Sequence, residues 1–522
     1  MRRLFALLTL LATAAAIPAW AIDLRIGRAT EHGSLDPHYS DLGSDVATAE
    51  NMFESMIHYD AKLNVRPALA TEWTLIDPLT WEIKLRPGVT FHDGSAMTAH
   101  DVIYSLNRAR AIPNSPGPLS SFVRPVKEME AVDPLTLRVR TIAPTPLLMD
   151  MIGRIFIIPA KLGATVANED FNAGRAMIGT GPYRFQTGAP GDKVVWTPYQ
   201  AYWGEKPRFD TVTVKFLSNP AARSAALLSG SVDVIEQIPP SDIGIFKARQ
   251  DIALFDIVST RMVYLAMDQG RDDSPFLTDK DGKPLKVNPL KDRRVRLALS
   301  KMINRQAIVE RVLAGAGEPT GQIVPDGMGG HDPALRPMAF DPPAAKQLLT
   351  EAGYPDGFGL TLHGSNNRFP NDSQVAQGLG QMFSRGGLKV NAVEVVPYNV
   401  YAPAATQRKY SLFTFSYGSV ASSSLNGLTG VLATYDAVKG TGSLNRARYT
   451  NLAFDEALAL GSVEFDPAKR GMLLAAATKI AMEDAAILPL YWQRLYWAAR
   501  KGFVMDPGRG EATSVHFIHP AP

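Results

Sequence analysis

The chain predicts an α/β protein of two or three domains, on three observations. Its 522 residues exceed what a single hydrophobic core serves. Runs that alternate apolar and polar residues, such as 80–85 and 135–140, read as strands. Helical runs stand among them with clear start signals. Asp341-Pro342 and Asp466-Pro467 each set an N-cap before a proline at the first helical position.

Taken in order, a first strand is expected over 24–29, then the turn-rich stretch 33–38. A helix is expected over 44–56, with Asp45, Thr48 and Glu50 on its wet side. Arg86-Pro-Gly88 turns the chain after the strand 80–85. Thr98, with Asp101 three residues on, forms a near capping box for a helix carrying Val102, Ile103, Leu106 and Ala109 on one face. Strands follow at 193–197 and 211–217, then a helix over 220–228 and a short strand over 232–235. An amphipathic helix starts at Asp292 with Val295, Leu299, Met302 and Ile303 on one face. A second helical run goes from Arg305 to near Gly315, and Gly353 closes the helix that Asp341 opens. No internal repeat or low-complexity tract is evident.

Arg2 and Arg3, the apolar stretch 4–17 and Ala19-Trp20-Ala21 read as a secretory signal with cleavage after Ala21. The expected location is the periplasm. No cysteine is present, so neither a lipid-anchoring cysteine nor thiol chemistry is expected. The net charge of +3 falls to +1 once Arg2 and Arg3 are removed, which argues against a nucleic-acid partner. No Gly-x-Ser-x-Gly elbow or His-Glu-x-x-His helix occurs, and the nine histidines are scattered. Catalysis, metals and cofactors are therefore not expected, with a periplasmic hydrolase as the enzyme alternative.

Eight segments carry a stronger signal by their order and spacing. They are RPALATEW (66–73), WEIKLRPGVTFHDG (81–94), MTAHDVIYSLNR (97–108), GTGPY (179–183), YWGEKPRFD (202–210), LKDRRVRLALS (290–300), AAKQLLTEAGY (344–354) and DAAILPL (484–490). Together they resemble the peptide-type, family 5 periplasmic solute-binding proteins of ABC importers. The resemblance implies a two-lobed type II binding-protein fold of three regions with a hinge. One lobe would combine 22–58, 180–262 and 483–522 around an inserted small domain, 59–179. The other lobe would be 263–482. It also implies capture of a peptide or peptide-like solute between the lobes by a monomer. The solute would pass to permease subunits, with ATPase subunits engaged indirectly. An opine-like conjugate, a glycoside or a metal chelate stays open as the solute.

Three places follow from the resemblance as ligand contacts. The first is Tyr39-Ser-Asp41, where Asp41 reads equally as an acid at a helix start. The second is the strand pair holding Glu236, Gln237, Arg261 and Tyr264; Tyr264 reads as site or as core. The third is the run 410–424, with Tyr417, Ser419, Ser422 and Ser423. There Val420 takes the position where peptide-binding relatives carry an amine-binding aspartate. A buried ammonium without a carboxylate is strongly disfavoured, so a serine cluster suited to neutral or anionic groups stands in its place. That cluster also reads as a flexible loop. Trp73, Trp81 and Phe91 are expected to pack the small domain, and His92, His100 and the turn 36–38 to shape backbone.

Overall fold

A computed structural model describes residues 22–419, 421–510 and 513–521. The expected signal, residues 1–21, and Val420 lie outside them. A twelve-stranded mixed sheet organises the chain. Its centre is a pair of long antiparallel strands, Ile252–Met267 and Leu488–Arg500, in register from Ile252 opposite Arg500 to Leu265 opposite Leu488. At one end Leu488–Arg500 pairs with Val234–Glu236. At the other, Ile252–Met267 pairs with Leu412–Gly418. The same two strands thus serve both halves of the sheet.

Register breaks between Val258 and Met262. An irregularity of this kind bends a strand and leaves polar groups to be satisfied. Here the Ser259 hydroxyl donates to the Gln493 carbonyl at 2.8 Å, and the Thr260 hydroxyl to the Ser419 carbonyl at 2.6 Å. Beyond the break both faces are covered. Val263, Leu265 and Met267 enter one core, while Met262, Tyr264 and Ala266 enter a second. The period of two along a strand sends alternate side chains to opposite cores, which is why this stretch is apolar throughout.

A third core surrounds the strand Asp23–Arg28, with Ile26, Trp196 and Trp497 in it. The fourth belongs to an antiparallel sheet of four strands, Ala70–Asp77, Thr80–Leu85, Thr136–Thr141 and Val126–Asp133, covered by the helix Ala99–Arg108. Trp81 and Phe91 are buried in it and Trp73 packs beside it. The Thr98 amide donates to Asp101 Oδ2 at 2.8 Å, completing the capping box. Asp341 and Asp466 cap as their sequences predict, accepting from Ala344 N and Lys469 N. His92 bonds the Gly181 carbonyl through Nε2 at 2.9 Å.

One expected helix is shorter. It covers Gly43–Ala49 and stops before 56, because the chain leaves it to meet the GTGPY segment. The Asn51 carbonyl accepts from Tyr183 N at 3.1 Å and the Met52 carbonyl from Gly181 N at 3.0 Å. A Cβ on Gly179 would stand 1.9 Å from the Met52 carbonyl oxygen, so this approach requires glycine. The wet-side assignment is also corrected: Asp45 and Thr48 are buried. Asp45 accepts from the Gly33 and Ser34 amides at 3.0 and 3.1 Å, and Thr48 accepts from Arg28.

Candidate ligand-binding cleft

Three parallel strands, Thr211–Phe216, Asp23–Arg28 and Val234–Glu236, lie side by side. Their carboxyl ends meet at one edge, where open α/β sheets bind ligands. Arg28 and Glu236 end two of them. Arg28 is 1 % exposed; it donates to Thr48 Oγ1 at 2.9 Å and to the Thr513 carbonyl at 3.1 Å. Glu236 accepts from the Ala29 amide at 3.0 Å and from the Thr513 hydroxyl. Burial lowers the Arg28 guanidinium, and the attraction of Glu236 opposes it. Both Glu236 oxygens are thus engaged by the protein's own donors, and the residue ties strand ends together. Gln237 is exposed, in the left-handed region at φ 50°. Its carbonyl accepts from Arg223 at 2.8 Å.

The next wall is built by 36–43. Arg108 clamps the Asp36 carboxylate at 2.6 and 2.8 Å, and Asp36 in turn accepts from the His38 amide at 2.9 Å. The chain beyond runs against 114–117. Tyr39 donates its hydroxyl to the Asn114 carbonyl at 3.1 Å, and the Asp41 amide donates to the Gly117 carbonyl at 3.0 Å. Gly117 leaves room for the acid, since a Cβ there would sit 2.5 Å from Asp41 Oδ1. Burial raises the Asp41 carboxyl above its ordinary range, and Arg154 pulls it back.

Arg154 was not singled out from sequence. It follows the short helix Leu148–Ile152, with its guanidinium carbon 4.9 Å from the centre of the Phe122 ring. Burial lowers it, while Asp41, Tyr59 and Tyr417 act on it electrostatically. A signal was present: Arg154 stands in the run 147–159, apolar but for it and Asp150, where a cation requires partners.

Tyr417 comes from the opposite side, on the strand Leu412–Gly418 opposite Met262. Burial pushes its hydroxyl up to about 12, against the pull of the Ser419 hydroxyl and Arg154. One residue away, Ser416 Oγ accepts from Arg261 Nη1 at 2.9 Å. Asp41 and Tyr417 thus act on Arg154 from distant parts of the chain, with Ser416 beside Tyr417 and Arg261 on the neighbouring strand.

The remaining expected residues serve the loop or the core. Ser419 is buried and donates to the Ala421 carbonyl at 2.9 Å. Ser422 is half-buried and its carbonyl accepts from Gly329 N at 2.8 Å. Ser423 is buried, bridged to Gly329, and accepts from the Leu425 amide at 3.3 Å. Tyr264 is 3 % exposed, with its ring 6.4 Å from that of Phe415 in the second core. A separate pocket of about 410 Å³, lined by Tyr202, Trp203, Arg208 and His516 among others, contains none of these groups. Among the described residues no cluster of His, Cys, Asp or Glu is arranged to hold a metal ion. No described helix is long and apolar enough to cross a membrane.

Residues 64–438 match the bacterial extracellular solute-binding proteins, family 5 (middle region). The chain belongs to that family. This family 5 receptor is 27 % identical over 518 residues to the glutathione-binding protein GsiB of Salmonella paratyphi A, covering 97 % of this chain and 96 % of that one. Solved structures share its fold. DppA of Helicobacter pylori, in complex with the peptide STSA, superposes with a TM-score of 0.78 at 20 % identity, over 96 % of this chain and 99 % of that one. NikZ of Campylobacter jejuni, in complex with Ni(L-His), superposes at 0.76 and 20 % identity, over 94 % and 97 %. The architecture is accordingly the two-lobed, mixed α/β type II binding-protein fold.

Proposed function

We propose that this receptor captures an acidic, peptide-like solute of the glutathione class and delivers it unchanged to an ABC import permease. The observation that carries the reading is the meeting of Asp41, Arg154 and Tyr417. A carboxylate beside a guanidinium suits a solute bearing both ammonium and carboxylate groups, and each such contact gains strength where water is excluded. The GsiB relatives support the same class. We also infer that the lobes follow the division 22–58, 180–262 and 483–522; 59–179; 263–482, with the irregularity at 258–262 as the hinge. Apart from Phe465, the core of the four-stranded sheet is drawn from 56–203, which supports the inserted domain, while the two cores around Ile252–Met267 are shared by both proposed lobes. Export with cleavage after Ala21, and function as a monomer, belong to the same proposal.

Calorimetry on the purified protein tests it with reduced glutathione, S-methylglutathione, an unmodified neutral tripeptide and a nickel–histidine chelate. The glutathione pair is expected to bind at least tenfold more tightly than the neutral tripeptide and to be recovered intact. Preference for the neutral tripeptide or the chelate, or steady conversion of a bound solute, would overturn the reading.

A further inference from the structure

Phe465 occupies the turn between the helices Leu452–Val463 and Pro467–Glu483, yet it packs against the core of the four-stranded sheet. Every other residue of that cluster lies between Met56 and Trp203. Its ring centre is 6.1 Å from that of Trp81. Arg470, one turn into the second helix, donates from Nη1 to the Glu464 and Phe465 carbonyls at 2.9 and 3.1 Å. It therefore shapes the turn that presents the phenyl ring. The same guanidinium attracts Asp150 across the gap, and Asp150 is tied to the four-stranded region by the Tyr59 hydroxyl, 3.2 Å from its carbonyl. A second bridge stands nearby, where the loop at Gly440 runs so close to Arg124 that a Cβ would lie 2.9 Å from Nη2.

An aromatic contact, with Arg470 and Asp150 attracting each other across the same gap, joins two parts of the chain that have separate cores. Neither residue lies among the groups assigned to the solute. We propose that this turn is a latch: Phe465 and Arg470 are positioning residues that hold the large lobe against the small domain. They thereby set how long a solute stays captured. A two-lobed receptor responds to solute by a shift between open and closed populations, so a contact made only on closure changes dwell time while leaving solute selectivity alone.

The chain has no cysteine, so Glu128→Cys with Lys479→Cys gives a clean pair of label positions on either side of the gap. Interlobe distances are measured by single-molecule energy transfer, first without solute and then with S-methylglutathione. Phe465→Ala is expected to lower the closed-to-open ratio about three- to tenfold, the scale of an aromatic pair. Arg470→Gln should lower it less, and Phe465→Tyr should restore it. Release of S-methylglutathione should quicken in proportion, with its preference over a neutral tripeptide unchanged. A wild-type distance distribution in a folded Phe465→Ala protein overturns the latch, as does a wild type that never samples the short distance. If S-methylglutathione moves no distance in any variant, the proposed solute class fails, and the solute-free arm still decides the latch.

Discussion

Around 36–43, 108 and 154 the polar groups are charged and meet across long stretches of chain. Along the run 419–424 they are neutral and bonded within a few residues. Asp36, Asp41, Arg108 and Arg154 belong to the first kind; their partners come from separate segments. The serines at 419 and 423 belong to the second, spending their hydroxyls on backbone two to four positions away. Charged pairs held by distant elements are rigid and specific, but removal of one member strands the other. Local hydroxyl bonds shape a loop cheaply and each carries little. Under the proposed function, solute selectivity is expected to lie mainly with the charged wall.

The largest effect is expected where the charged framework is deepest. Glu236→Ala removes one of the two acids that attract buried Arg28 and leaves the Ala29 amide and the Thr513 hydroxyl without their acceptor, at about 1–3 kcal/mol for each stranded donor. Urea unfolding should show a lowered midpoint with unchanged slope. A midpoint near wild type would mean that Glu50 and the bonds to Ala47, Thr48 and Thr513 suffice for Arg28, and the contrast between walls would weaken. Next comes Arg154→Met, which should reduce affinity for glutathione by about 1.5–3 kcal/mol, the scale of a hydrogen bond to a charged group, with the neutral tripeptide little affected. Calorimetry reads the difference, and an equal loss for both solutes would assign Arg154 to structure alone.

A pH series separates buried acids from buried imidazoles. Burial raises Glu50 and Glu54 to about 7, so the folded state binds more protons than the unfolded one. Stability should rise as pH falls from 8 through 7. Burial lowers His38 and His92 to about 4, so below the ordinary histidine value near 6.5 the unfolded chain binds more protons and stability should decline. A maximum near pH 6 to 7 is expected in denaturant titrations, and Glu54→Gln should flatten the alkaline side. A stability that climbs steadily to pH 8 contradicts the sign. The smallest effect belongs to the loop: Ser423→Ala should cost about 1 kcal/mol of stability or less and leave glutathione affinity within twofold.

Much of the frame was legible in the residues. Capping at Thr98, Asp341 and Asp466 follows from side chains that satisfy nearby amides, and local chemistry of this kind needs no knowledge of the fold. The end of the first helix was not legible. Asn51 and Met52 have ordinary helical character, and only their bonds to Tyr183 and Gly181 pull them away. Glu236 was read as a ligand contact from the family resemblance. Its engagement with Thr513 depends on where the C-terminal segment returns. Tyr264 carried two readings, and the parity of its strand sends it to a core rather than an open face.

What the sequence determined by itself is the set of segments whose order identifies family 5, together with the uninterrupted apolar stretch 262–267 that demands cover on both faces. Tertiary structure alone decided which charges meet. Arg154, Asp41 and Tyr417 lie on three separate elements, and each polar side chain is compatible with many partners when read singly. Burial removes that freedom, because a guanidinium taken from water must be met by whatever acid and hydroxyl the packing of distant elements brings to it.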